Sequence, residues 1–220
     1  MPSISVSPLQ RIVSSTGNVV TGANRAAAVT SLLAGGAANA VNVGNAPLIW
    51  PQISKFDNDN NTAFNSQPNP QFLWTQPVPL PGETKGFAAR SSNIPLSLGV
   101  FGEFVIAMAV FADNAVTARI QAVDQTGIVI LPVPVTGLDV DLNAGSLNPN
   151  SGIFPDNHFP YNWQNVRFYT IPVSFGLLSA ALNLSFVFSF EVANYVNNGA
   201  TNTAGLAFVA DIYQSILTLP

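Results

Sequence analysis

Twelve residues near the carboxyl end, 182–193 (LNLSFVFSFEVA), alternate with a period of two. Leu182, Leu184, Phe186, Phe188, Phe190 and Val192 fall on one face, and Asn183, Ser185, Val187, Ser189, Glu191 and Ala193 on the other. That periodicity belongs to a strand, not a helix. Three phenylalanines in succession on one face need a second apolar layer to cover them. The same pattern recurs at 206–213, where Leu206, Phe208, Ala210 and Ile212 align, and at 116–123, where Val116, Ala118, Ile120 and Ala122 oppose Thr117, Arg119 and Gln121. Residues 104–111 (FVIAMAVF) are apolar on both faces, as expected of a central strand between two buried layers. Residues 128–131 and 166–171 continue the series. Turn signals punctuate it: Asp113-Asn114, 124–127 and Asn197-Asn198-Gly199. Short strands, turn-rich joints and no interleaved helices predict an all-β protein, a jelly-roll β-sandwich.

A chain of 220 residues accommodates one such domain with an appendage. The amino-terminal region, residues 1–45, reads as an extended arm, and 46–220 as the sandwich domain. In the arm, Ile4 and Val6 alternate with Ser3, Ser5 and Ser7 between Pro2 and Pro8, an extended strand with one apolar edge. Asn24 can cap a short helix over 26–34, with Gly35 as its stop; a flexible Ala/Gly linker reads equally well there. Residues 46–84 are rich in Asn and Pro and read as loop, with Trp50 and Trp74 covering one end of the core. A long excursion, 132–165, is broken by Pro, Asn and Gly.

Charge narrows the function classes. Asp, Glu, Lys and Arg make up 8% of the chain, against about 25% in an ordinary globular domain. Their place is taken by Asn, Ser, Thr and Gln, with 23 Asn alone. Such a surface is hydrated but repels copies of itself only weakly, which suits subunits that pack permanently against one another. Seven scattered basic residues and a net charge of −4 exclude a nucleic-acid partner, which needs clustered Lys and Arg. No run reaches the roughly 18 apolar residues of a membrane span. Residues 25–40 resemble a signal-peptide core, but the apolar run is weak and its leader long, so no cleavage is expected. With no Cys, neither a disulfide framework nor a thiolate metal site can form.

The succession of the strand before ADNA, then ARIQAVDQTG, a Trp-bearing loop, VRFYTIPVS, LNLSFVFSFEVANY and AGLAFVADI resembles the galactose-binding-like jelly-roll superfamily over about residues 101–213. The resemblance implies the fold. It also admits sugar binding, cell-surface modules and enzyme appendages, since that fold hosts all three. The long Ala/Gly-rich amino-terminal arm departs from the usual layout.

The equipment for catalysis is sparse. One His, His158, and no G-x-S-x-G elbow leave no Ser–His–Asp arrangement to favour. Asp139 and Asp141 lie at strand spacing, about 7 Å apart, a separation open to glycosidase carboxylates; without aromatic partners they read as an exposed strand face. Asp57, Asp59 and Asn61 occupy positions one, three and five of a calcium-loop pattern, but Thr62 and Pro68 stand where Gly and Glu belong. The segment reads as an Asx-rich turn, with a structural calcium as the one cofactor it could take; otherwise none is expected. The most site-like stretch is 154–163 (FPDNHFPYNW), where Tyr161 and Trp163 offer flat apolar faces and Asp156, Asn157 and His158 offer polar groups for sugar hydroxyls. Its alternative role is to plug one end of the sandwich.

These features predict a non-catalytic structural protein that assembles with itself, such as a fibre, spore-surface, coat or capsid subunit. Its expected place is extracellular or on a particle surface. Ile4 and Val6 are the residues expected to dock the arm on a neighbouring subunit by strand addition. A carbohydrate-binding module, with glycans as partners, is the alternative.

Overall fold

The computed structural model describes residues 3–44, 62–64, 69–97, 101–128, 141–144, 146–151, 166–177, 182–196 and 202–218. Twelve strands and one α-helix run in the order β1 (Ser3–Val13), β2 (Val20–Gly22), α1 (Arg25–Leu33), β3 (Val41–Asn42), β4 (Leu73–Trp74), β5 (Thr84–Arg90), β6 (Ile94–Leu96), β7 (Phe101–Asp113), β8 (Ala115–Asp124), β9 (Asp141–Ala144), β10 (Arg167–Leu177), β11 (Leu182–Ala193) and β12 (Gly205–Thr218).

The strands form two antiparallel sheets packed face to face. In the first, β10, β7 and β12 lie side by side, and β1 and β4 share the far edge of β12, with β3 beyond β4. The second has the order β2-β5-β11-β8-β9, with β6 continuing the β5 edge along β11. Its eight principal strands give β1-β12-β7-β10 in one sheet and β5-β11-β8-β9 in the other. Following the chain through them, the sheet changes at every step except β8 to β9. Two interlocked antiparallel sheets wound in this way are a jelly roll.

The alternating faces meet between the sheets. Leu184, Phe186, Phe188, Phe190 and Val192 of β11 join Val116, Ala118, Ile120 and Ala122 of β8 against Phe104, Ile106, Met108 and Val110 of β7 and Leu206, Phe208, Ala210 and Ile212 of β12. Aromatic rings bridge the layers: Phe186 stands edge-on to Phe104 at 5.5 Å, and Phe190 lies 4.6 Å from Phe208, separations at which aromatic pairs add to simple burial. The central position expected for 104–111 is confirmed, but only the inner face of β7 is fully covered. Outward-facing Val105, Ala107 and Ala109 are half-buried. Trp74 is fully buried and packs on Phe87, while Trp50 lies outside the described residues. Ile128 is exposed and outside any strand, and 129–131 are not among the described residues.

The amino-terminal region is woven into both layers. β1 pairs with β12 of the same chain through ten register pairs, Ser3↔Thr218 to Val13↔Val209, with an irregularity between Pro8 and Gln10. Of the two readings open after Asn24, helix or flexible linker, the helix is the one present: the Asn24 side chain accepts from the Ala27 N–H at 2.8 Å, and Gly35 follows with φ 81°, the left-handed conformation that glycine accepts at a helix end. α1 rests on the outer face of the second sheet, where the Arg25 N–H at its start donates to the Glu191 carboxylate at 3.0 Å, a favourable place for negative charge.

This contact depends on Gly86 of β5. A Cβ there would collide with the carbonyl of Asn24, the backbone that starts the helix. Gly86→Ala is therefore expected to cost about 1–3 kcal/mol or more, as overpacking against an immovable group does. Urea unfolding checks it; an unchanged midpoint would show that α1 is not held tightly on β5.

Candidate assembly surface

Of the residues anticipated for ligand binding, Asp156, Asn157, His158, Tyr161 and Trp163 lie outside the described residues, as do Asp57, Asp59 and Asn61 of the calcium-like loop. Asp139 does too, while Asp141 opens β9, its backbone paired with Arg119. Among the described residues no group of three or more His, Asp or Glu side chains could hold a metal ion. No described helix is long and apolar enough to cross a membrane. The anticipated assembly residues, Ile4 and Val6, are in β1, opposite Leu217 and Ser215 of β12.

Pairing registers generate the outer face of the first sheet row by row. Phe168, Ala109, Val209 and Val13 form one row across β10, β7, β12 and β1; Thr170, Ala107, Asp211 and Arg11 form the next. Pro172, Val105, Tyr213 and Pro8 make the third, and Ser174, Glu103, Ser215 and Val6 the fourth. Apolar and small side chains dominate, and the three charges are Arg11, Asp211 and Glu103.

Two of these charges close on each other. Arg11 Nε donates to Asp211 Oδ1 at 2.6 Å, and Nη2 donates to Oδ2 at 2.7 Å, a bidentate fork with both side chains about nine-tenths buried. A 3₁₀ turn at Thr62–Phe64 helps to cover them. Its Phe64 ring lies 5.2 Å from the guanidinium carbon of Arg11 and 5.8 Å from the Tyr213 ring, edge to face. The β12–β1 half of the face is thus partly roofed. The roof does not extend further: Phe168 on β10 is 77% exposed, and Val6, at the far row of β1, is 58% exposed.

A groove of about 340 Å³ opens beside that last row, walled by Val6, Val105, Pro172 and Val173 with Glu103 and Ser174 among its polar groups. It is apolar and shallow, suited to a side chain and lacking converging polar groups that would orient a small molecule.

At one end of the sandwich sits a buried polar corner. Asp113 ends β7, and a cis Asp113–Asn114 peptide leads into β8 in the opposite sheet. The turn anticipated at Asp113-Asn114 is present, and it is a buried crossover between the sheets. Thr203 Oγ1 donates to Asp113 Oδ2 at 2.6 Å, and Asn114 Nδ2 donates to Oδ1 at 2.6 Å. Asn114 Oδ1 accepts from the Tyr195 N–H at 2.7 Å, and the Tyr195 hydroxyl donates to the Ser146 carbonyl at 2.9 Å. Burial pushes the Asp113 carboxyl up to about 7, against the lowering effect of the Thr203 bond. Asp124, by contrast, organises the exposed turn after β8: its carboxylate accepts from the Thr126 hydroxyl and from the Thr126 and Ile128 N–H groups. The Thr126 hydroxyl foremost holds its pKa below the usual value.

Phe168, the Arg11–Asp211 fork and the Asp113 corner are the features that sequence reading missed. No known protein family and no curated protein matches the chain. Among solved structures, the isomalto-dextranase of Arthrobacter globiformis T6 in complex with panose is similar at 11% identity and a TM-score of 0.29, over 66% of this chain. The chain spans 19% of the length of that enzyme, and a likeness at this level carries no functional argument.

Proposed function

We propose that the chain is a non-catalytic structural subunit that assembles with copies of itself into a coat, fibre or capsid-like layer at a particle or cell surface. The observation that carries this reading is the stiff jelly roll whose first sheet presents an apolar, nearly uncharged and partly open outer face. Exposed contiguous apolar surface is uncommon on a protein that works as a monomer, and a chain with 8% charged residues has little repulsion to keep its copies apart.

The amino-terminal strand is the proposed connector. It sits on β12 of its own chain, and the same ten-pair register is available to an exchanged strand from a neighbour. Deleting residues 1–9 removes six of those pairs and keeps Arg11, Ile12 and Val13 in place. The expected product retains its β circular dichroism and no longer assembles.

Sedimentation velocity and electron microscopy of the full chain test the reading as a whole. Particles or oligomers support it; a monomer at every concentration ends it. If the truncated chain assembles as the full chain does, the connector role of the strand is wrong. Should the full chain stay monomeric and bind on a glycan array, with binding lost in Trp163→Ala, the carbohydrate-binding alternative replaces the structural one.

A further inference from the structure

We propose that the open part of the first sheet's outer face is a two-fold interface between copies, in which Phe168 of each copy enters the groove beside Val6, Val105 and Pro172 of the other. The inference rests on the self-assembly reading and gives it a surface.

Knob and hole lie on one face. Phe168 projects from the first row and is 77% exposed, although a phenylalanine gains most by burial. The groove lies beside the third and fourth rows, with Pro172 four residues further along the same strand, about 13 Å away. When a projection and a matching recess share one face, a two-fold axis midway between them satisfies both contacts at once, the self-complementary arrangement of an isologous dimer. That axis passes between Thr170 of β10 and Ala107 of β7, neighbours in the second row. Both are small, so two sheets can approach there.

Charges agree with a second copy as the occupant. Rotation about this axis brings the third row, with Pro172 and Val105, over the partner's row of Phe168 and Ala109 and carries Glu103 one row beyond it, so the two Glu103 carboxylates do not oppose each other. Arg11 and Asp211 neutralise one another within each chain and lie to the side, beneath Phe64. The remaining charge of these rows, Glu103, is thereby kept away from its counterpart, and no like charges are juxtaposed.

Two variants of the full chain test the geometry. Phe168→Glu alters a largely exposed side chain, so circular dichroism should be unchanged. Because each dimer loses the contact twice, dimer affinity should fall at least about a hundredfold by sedimentation equilibrium. Thr170→Cys creates the sole cysteine of the chain, next to the axis. Under mild oxidation it should give a covalent dimer of twice 23.2 kDa, whereas Gln125→Cys, in the exposed turn after β8 of the other sheet, should not.

If the full chain assembles and Phe168→Glu assembles equally well, this interface is wrong while self-assembly survives through another surface. If Phe168→Glu disrupts assembly but Thr170→Cys does not cross-link, the two-fold arrangement is overturned in favour of a head-to-tail contact. A full chain that is monomeric throughout overturns both the interface and the function it rests on.

Discussion

Asp211→Ala should destabilise the protein by about 3–5 kcal/mol, among the largest effects of any single surface-sheet substitution. The physical reason is asymmetry. An intact buried ion pair contributes little net stability, because the attraction is offset by the cost of removing two charges from water. Removing one partner leaves that cost and abolishes the compensation. Arg11 is held on β1 by backbone pairing to Asp211 itself, beneath Phe64, with about nine-tenths of its side chain out of water. The guanidinium in the variant must either stay buried without its carboxylate or pull the end of β1 off β12 to reach solvent. The second route exposes Ile12 and Val13 of the core-facing and outer clusters. Arg11→Met combined with Asp211→Leu should recover most of the loss, because no charge is then left uncompensated. Urea unfolding of the two single variants and the double variant measures the coupling. Should the double variant be as unstable as Asp211→Ala, the loss comes from packing on β12 and not from the stranded charge.

This pair also marks where sequence reading stops. Its partners are 200 positions apart, and nothing local distinguishes Arg11 from a solvated arm residue or Asp211 from an exposed strand residue. Strands that bury one face announce themselves by alternation, so β8, β11 and β12 were legible together with the core residues on them. The start of β1 was legible too, through Ile4 and Val6, and α1 as one of two readings, through Asn24 and Gly35. β5 was not. Its sequence TKGFAAR does not alternate, because Phe87 and Ala89 enter the core while Gly86 and Ala88 are buried on the other side, toward α1. A strand covered on both faces loses the pattern by which strands are found. β10 has the opposite difficulty. Phe168 and Tyr169 are adjacent aromatics, and composition does not say which points inward; pairing with Ala109 and Met108 of β7 decides it. The open outer face follows from that register, so the candidate assembly surface could be read only from the assembled sheets.

The Asp113 corner yields the prediction that reaches furthest beyond the sequence, since Asp-Asn reads locally as a turn and nothing local says that it is buried. Long-range neighbours from the start of β12 and the end of β11 bury it. With a carboxyl pKa of about 7 in the folded chain and 3.8 as its reference value, the folded state holds a proton that the unfolded state has already released across that interval. Stability is therefore complete below about pH 4 and falls as pH rises through 7, the sign expected when the native state binds more protons. At about 1.4 kcal/mol per pKa unit, the full loss is on the order of 4 kcal/mol. Asp124 pulls the other way but outside this window, because its lowered pKa matters only as pH drops below the ordinary carboxylate range. Asp113→Asn keeps the shape and places an amide where the neutral acid stood: its oxygen can still accept from Asn114, and its nitrogen can donate to the Thr203 hydroxyl. The variant should match the parent chain near pH 4.5 and exceed it in urea midpoint at pH 8, with most of the slope between them gone. An identical slope in the two proteins would place the pH dependence in other groups and leave Asp113 ionised and solvated at neutral pH, which its complete enclosure by β7, β12 and Thr203 opposes.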